Sequence, residues 1–271
     1  MLRRINSIMT SDFWKKQTPD TPLFEDLLWS RPENKAHAGK LLIIGGNLHG
    51  FAAPSQAYQA ALKAGIGTTR IILPVALKKI AGTILEAGEY APSTPSGSFG
   101  VKALDQFLID TQWADGVLLA GDLGRNSETA MLLEKYTAKS GQVQLTITKD
   151  ALDYFKDTPA ALFDRPNTTL VMSFAQLQKL AATYGFTPAF TFEMGLVQLL
   201  EALHNLTEKI QAAIIVKHLQ NILVAYKGQV SSTLLQEDTE IWRVETATKA
   251  ATWYLQNPSK VFEALTTSII H

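Results

Sequence analysis

The sequence contains no cysteine, which excludes disulfide frameworks, thiolate metal sites and cysteine nucleophiles and suits a cytoplasmic protein. Charge is the second shortage. Lysine plus arginine number 25, aspartate plus glutamate 25, and together they make 18 % of the 271 residues, below the usual quarter. A net charge of zero does not describe a protein that holds nucleic acid through bulk positive charge. Apolar residues make up 46 %, leaving less polar material than a monomer of this size spreads over its surface, so a homo-oligomer is expected. Long apolar runs are also missing. Leu41 to Ile44 and Ala212 to Val216 are among the longest, far short of the ~20 residues a membrane-spanning helix requires, and no membrane partner is expected. Met1 to Met9 is basic but lacks the apolar run and small-residue site of a signal peptide.

Several catalytic signatures are absent too. His37, His49, His204, His218 and His271 show no metal-ligand spacing, so no metal site is expected. Gly97-Ser-Phe-Gly100 lacks the first glycine of a nucleophile elbow. No glycine-rich stretch ends in the Gly-Lys-Ser/Thr of a P-loop.

What is present is an alternation of short apolar runs with helical patterns, the signature of a sheet covered on both faces by helices. Leu41 to Ile44 reads as a buried strand feeding into Gly45-Gly46, and alanines at 57, 60, 61 and 64 give a tightly packed helix over 55–64 closed by Gly65. Strands are expected at 68–73, 117–120, 143–147, 170–172 and 212–216, with helices at 127–139, 150–155, 192–206, 244–256 and 259–270. The polar stretch 88–100 reads as a loop. Ser173-Phe-Ala-Gln176 is a capping box opening a helix toward Tyr184. Lys227-Gly228 between two apolar runs marks a late antiparallel hairpin. Residues 1–33 read as an N-terminal extension and 34–271 as one domain, with ligand chemistry at the carboxyl ends of the strands.

Two glycine-rich turns stand there. Gly45-Gly-Asn-Leu-His-Gly50 is either a tight strand-to-helix turn or, with free amides, a cradle for an anion. In Gly121-Asp-Leu-Gly-Arg125 a carboxylate and a guanidinium flank the glycines; Arg125 is a candidate phosphate contact, or a solvent-exposed loop charge.

The order of these motifs resembles the ATP/ADP-dependent NAD(P)H-hydrate dehydratases, members of the ribokinase-like superfamily. Asn34-Lys-Ala-His-Ala-Gly-Lys-Leu-Leu-Ile-Ile-Gly-Gly-Asn47, then Gly50-Phe-Ala-Ala-Pro-Ser55 and its alanine-rich helix, look like the opening of that family. Ala120 to Arg125 resembles its Gly-Pro-Gly-Leu-Gly turn. Lys149-Asp-Ala-Leu152 resembles its Asp-Ala-Asp-Ala-Leu, with Thr148 in place of the first aspartate. Ile214-Ile-Val-Lys217 with the hairpin looks like its Leu-Lys-Gly, and 171–180 stands where the family writes Thr-Pro-His-x-Gly-Glu.

The resemblance, over about residues 34–265, implies a three-layer α/β/α ribokinase-like fold with a mainly parallel sheet. It implies ATP or ADP with Mg, and an NAD(P)H-type ligand as substrate. The binding residues it implies are Gly45, Gly46, Asn47, Gly50, Ala53, Pro54, Gly121, Gly124, Arg125, Lys217 and Arg243. The sequence departs from the pattern in two places. Phe174 and Gln176 replace the family's histidine and glutamate. Trp-Arg-Val-Glu-Thr over 242–246 replaces Gly-Gly-Thr-Gly-Asp, whose glycines form an anion hole and whose aspartate is the base. Glu245 is the substitute base, or simply an acidic residue favoured in a helix's first turn. Three functions remain open at this point: a divergent dehydratase with an eroded anion hole, a catalytically silent relative that keeps a ligand or partner surface, and a small-molecule kinase. The composition predicts a light-scattering mass above 30 kDa; a constant value of about 30 kDa across a wide concentration range contradicts the expected oligomer.

Overall fold

The computed structural model describes residues 12–81, 88–234 and 242–271. Among them are strands β1 (Trp14–Gln17), β2 (Lys40–Gly45), β3 (Thr68–Pro74), β4 (Gly88–Ala91), β5 (Gly116–Gly121), β6 (Gln144–Thr148), β7 (Thr168–Met172), β8 (Ala213–His218), β9 (Asn221–Tyr226) and β10 (Gln229–Leu234). They form one sheet in the order β1-β10-β9-β8-β7-β6-β5-β2-β3-β4. Only the two ladders of β9 are antiparallel. The helices are α1 (Glu25–Trp29), α2 (Ala52–Lys63), α3 (Lys78–Ala81), α4 (Leu104–Trp113), α5 (Ser127–Lys139), α6 (Ala160–Phe163), α7 (Phe174–Tyr184), α8 (Leu196–Thr207), α9 (Trp242–Gln256) and α10 (Val261–Thr267).

Alternation along the strands divides the core into two layers. Leu42, Ile44, Val117, Leu119 and Ile147 face one way and pack with Phe107, Leu132, Tyr136, Leu177 and Leu203 of α4, α5, α7 and α8. Leu41, Ile43, Leu118, Ala120 and Ile215 face the other way, onto α2, α9 and α10. There the helices meet the sheet through Ala53, Ala57, Ala61, Ala247, Ala250 and Ala251, small side chains that allow close approach. The architecture is the expected three-layer α/β/α sheet with helices on both faces, late hairpin included. Lys227 and Gly228 turn that hairpin with φ of +47° and +75°, the conformation a two-residue turn between twisted strands demands.

The capping box read for α7 operates as expected, and α5, expected at 127–139, has a cap that the sequence reading did not name. The Asn126 side chain accepts from the amides of Glu128 and Thr129. Ser173 and Gln176 form the reciprocal capping box, and Gly185 ends α7 in the left-handed region. Three segments differ. The helix expected from Phe192 starts at Leu196, because Gly195 interrupts the pattern and the Phe192 ring meets that of Phe174 at a tilt, centroids 4.7 Å apart, instead. Gly88–Ala91, read as loop, is an edge strand parallel to β3, too short to show alternation. Within the segment read as an extension, β1 pairs parallel to β10. The amide of the fully buried Gln17 donates to Thr233 Oγ1 (3.2 Å) and the Thr266 carbonyl (2.9 Å). Leu27 of α1 packs against Trp253 and Ala264.

Tyr136 is fully buried between α5 and α4. Thr111 Oγ1 donates to the Phe107 carbonyl at 2.7 Å, so the Tyr136 hydroxyl donates to Thr111 Oγ1, also at 2.7 Å. Burial pushes its ionisation up to about 12 from 10.0. The folded protein therefore holds this proton more tightly than the unfolded chain. Its contribution is complete below pH 10 and declines as pH rises toward 12, by at most about 2–3 kcal/mol. Urea midpoints measured from pH 8 to 11.5 should fall above pH 10, and Tyr136→Phe should flatten that decline.

Candidate functional site

The turns after β2, β5, β6 and β7 meet at the carboxyl edge of the sheet. The carboxylate of Asp150, in the 3-10 turns that follow β6, accepts the amide of Asp122 on Oδ1 at 2.7 Å. Its Oδ2 accepts the amides of Leu123 and Gly124 at 2.8 and 3.2 Å. Burial pushes the Asp150 carboxyl above its ordinary range while the three amides pull it down. The turn is shaped for this contact. Gly121 has φ of +98°, and a Cβ there would stand 2.7 Å from Lys149 Cβ and 2.8 Å from Asp150 Oδ1.

Asp122 extends the network in the opposite direction. One of its oxygens accepts the Ala53 amide at 2.7 Å, capping α2 from across the site because Phe51 at the helix start offers no capping side chain. The other accepts the Lys149 ammonium, also at 2.7 Å. Asn47 Nδ2 donates to the Asp122 carbonyl at 2.5 Å, and the Gly46 amide to the Gly121 carbonyl at 3.0 Å. On the far side Gln176 Nε2 donates to the Lys149 carbonyl and to Asp153 Oδ1, each at 2.8 Å. The α7 capping residue thus holds the β6 turn as well.

The sequence-expected residues divide accordingly. Gly45, Gly46, Asn47, Ala53, Pro54, Gly121 and Gly124 are brought together. Gly50 closes the first turn, exchanging amide–carbonyl bonds with Asn47. Arg125 lies beyond them, exposed, on the rim of a cleft of about 740 Å³ lined also by Gly124, Asn126, Tyr154, Lys156 and Lys179. Lys217 is part-buried at the end of β8, and Arg243 part-buried in the first turn of α9. Glu245 is exposed, pairs with Lys249 at 2.8 Å, and lines a different groove with Ser55, Gln56 and Gln59 of α2. Residues 235–241, which precede α9, lie outside the described residues.

The cradle of free amides is where expectation and geometry part. The amides of Gly46, Asn47, Leu48 and Gly50 bond to main-chain carbonyls, and that of His49 to Asn47 Oδ1; those of Asp122, Leu123 and Gly124 hold Asp150. The protein supplies its own anions, Asp150 and Asp122, to the positions an external one would fill. Sequence reasoning did not assign roles to Asp122, Lys149 or Asp150. The signal was there in the Gly-Asp-Leu-Gly and Lys-Asp-Ala-Leu turns, but only the fold shows that they face each other. Tyr154 completes this wall, donating to the Gly124 carbonyl at 2.7 Å.

No family model matches the chain. Over 118 residues, 44 % of its length, it is 28 % identical to the bifunctional NAD(P)H-hydrate repair enzyme of Methanothermobacter thermautotrophicus; the match spans 22 % of that protein. Among solved structures it is similar to a ribokinase-like superfamily protein of Enterococcus faecalis V583, with TM-score 0.72, 16 % identity and coverage of 96 % of this chain and 86 % of that one. It is also similar to the ADP/ATP-dependent NAD(P)H-hydrate dehydratase of Bacillus subtilis co-crystallised with ATP and Mg2+ (TM-score 0.59, 11 % identity, 92 % and 86 % covered). A hydroxyethylthiazole kinase protein of Pyrococcus horikoshii OT3 gives TM-score 0.56 at 12 % identity, with 91 % and 80 % covered. The fold is ribokinase-like. The likeness to the NAD(P)H-hydrate dehydratases read from the motifs recurs in both the sequence and the structural comparison.

Asp150→Ala would leave three amides without their acceptor, at an expected cost of about 2–4 kcal/mol. Urea denaturation should show that loss, with faster hydrogen exchange at Leu123 and Gly124. An unchanged midpoint and unchanged exchange would mean that this carboxylate does not organise the turn.

Proposed function

We propose that the chain is a divergent NAD(P)H-hydrate dehydratase-like protein that binds a nucleotide ligand at the carboxyl edge of the sheet. It dehydrates hydrated NAD(P)H several orders of magnitude more slowly than relatives with an intact anion hole, or not at all. The ligand reading rests on the meeting of the Gly45–Gly50 and Gly121–Arg125 turns beside the 740 Å³ cleft, where ligands gather in open α/β sheets. The sequence likeness to a repair enzyme supports the substrate class.

The slow chemistry rests on the start of α9. Dehydration coupled to a nucleotide needs the transferred phosphoryl group surrounded by donors while a carboxylate takes the hydroxyl proton. Trp242, Arg243 and Val244 stand at the start of α9, at the positions where the resemblance calls for glycines, and non-glycine residues there lack the close backbone approach to phosphate that glycine allows. Losing one preorganised donor costs about 10²–10³ in rate. Among the described residues Glu245 is the carboxylate in the first turn of that helix, and its pairing with Lys249 competes with service as a base.

The direct test follows the disappearance of hydrated NAD(P)H with ATP or ADP, for wild type and Glu245→Gln, alongside calorimetric titration with ATP, ADP and NADPH. Binding with turnover absent or reduced by several orders of magnitude is the expected result. Brisk turnover abolished by Glu245→Gln would establish Glu245 as the base and refute the slow-enzyme reading. Brisk turnover that survived the substitution would show that the active site lies elsewhere.

A further inference from the structure

The cleft beside the Gly121–Arg125 turn is bounded by the start of α5, the 3-10 turns after β6 and the outer face of α7. Its acidic groups are largely engaged. Asp150 directs both oxygens at the turn's amides, and Asp153 holds the Gln176 side chain. Asp157 is 83 % exposed and stands 3.9 Å from Lys156, at the limit of an ion pair. The side chains of Arg125 and Lys179, which line the same cleft, have no hydrogen bond or ion pair among the described residues. The amides of Asp122, Leu123 and Gly124 are therefore engaged, while the side chains of Arg125 and Lys179 are unpaired and open to an anionic ligand.

We propose that this cleft binds the pyrophosphate of a small ligand through the side chains of Arg125, Lys156 and Lys179, in place of the backbone cradle that Asp150 fills. Arg125, Lys156 and Lys179 equal in number the cleft's carboxylates Asp150, Asp153 and Asp157, so recognition rests on the placement of the unpaired Arg125 and Lys179 side chains and not on excess positive charge. About 740 Å³ exceeds what a lone phosphate occupies and falls within the range of small-molecule sites. Arg125 offers a planar fork suited to two phosphate oxygens at once, while the two lysines act as point charges. The inference rests on the nucleotide reading above only for the identity of the group that carries the pyrophosphate. Because the three cations are on side chains at the rim, not buried amides, binding should weaken steeply with salt.

The test is calorimetric titration of the full chain with ADP, NADPH and inorganic pyrophosphate in 0.05 and 0.5 M NaCl. It is repeated for Arg125→Ala, Lys156→Ala, Lys179→Ala and Arg125→Lys, with the exposed Lys139→Ala as control and circular dichroism confirming the fold of each. Each alanine variant should bind about tenfold more weakly; Arg125→Lys should recover part of the loss, and Lys139→Ala should match wild type. Nucleotide binding that no cleft substitution altered would overturn this inference and leave the nucleotide reading standing. Pyrophosphate binding lost in the variants, with no binding of ADP or NADPH to wild type, would uphold the cleft and overturn the nucleotide reading. No binding of any of the three probes would refute both.

Discussion

A desolvated carboxylate facing three backbone amides holds the carboxyl edge of this sheet together. Asp150 fixes the Gly121–Gly124 turn, and that turn places Asp122 where it can cap α2 and bind Lys149. The Asp122 carbonyl in turn holds Asn47. Charge-assisted bonds of this kind are stronger than neutral ones, and in a partly buried site none of the partners can be withdrawn without leaving a polar group unmet. Four successive strand ends are therefore positioned as one unit. The hydrophobic layers on either side set the sheet, but this polar relay sets the geometry of its functional edge.

The same relay bears on what the protein can bind. A strand-to-helix turn with unengaged amides is a general anion receptor. Here Asp150 occupies the amides of Asp122, Leu123 and Gly124, so in the proposed site an external phosphate is met by side chains. Arg125, Lys156 and Lys179 are carried on separate segments, the β5 turn, the 3-10 turns after β6 and α7. Their convergence on one cleft couples ligand recognition to the packing of those elements. Glu245 belongs to another groove, between α2 and α9, so the two candidate regions share no lining residue.

Much of the architecture was legible because the signals behind it are local. The capping box at Ser173, the Lys227-Gly228 turn and the alanine spacing of α2 each act within a few residues. The misread segments share a different character. Phe192 left its helical pattern for a ring contact with Phe174, β4 is held by its register with β3, and β1 by a ladder to β10 more than two hundred residues away in sequence. None of those partners is visible in the segment itself.

The sequence by itself determined the alternation that makes a three-layer α/β/α protein, the two glycine turns at the strand ends, and the bulky residues at the start of α9, since composition and short-range periodicity carry all three. The tertiary structure alone decided that Asp150 faces the Gly121–Gly124 amides, that Asp122 caps a helix 69 residues before it, and that Arg125, Lys156 and Lys179 share a cleft. A hydrogen bond depends on distance in space and says nothing about separation along the chain. Whether an amide is free for a ligand or engaged by the protein's own carboxylate is therefore fixed only when the sheet brings the β5 and β6 turns side by side.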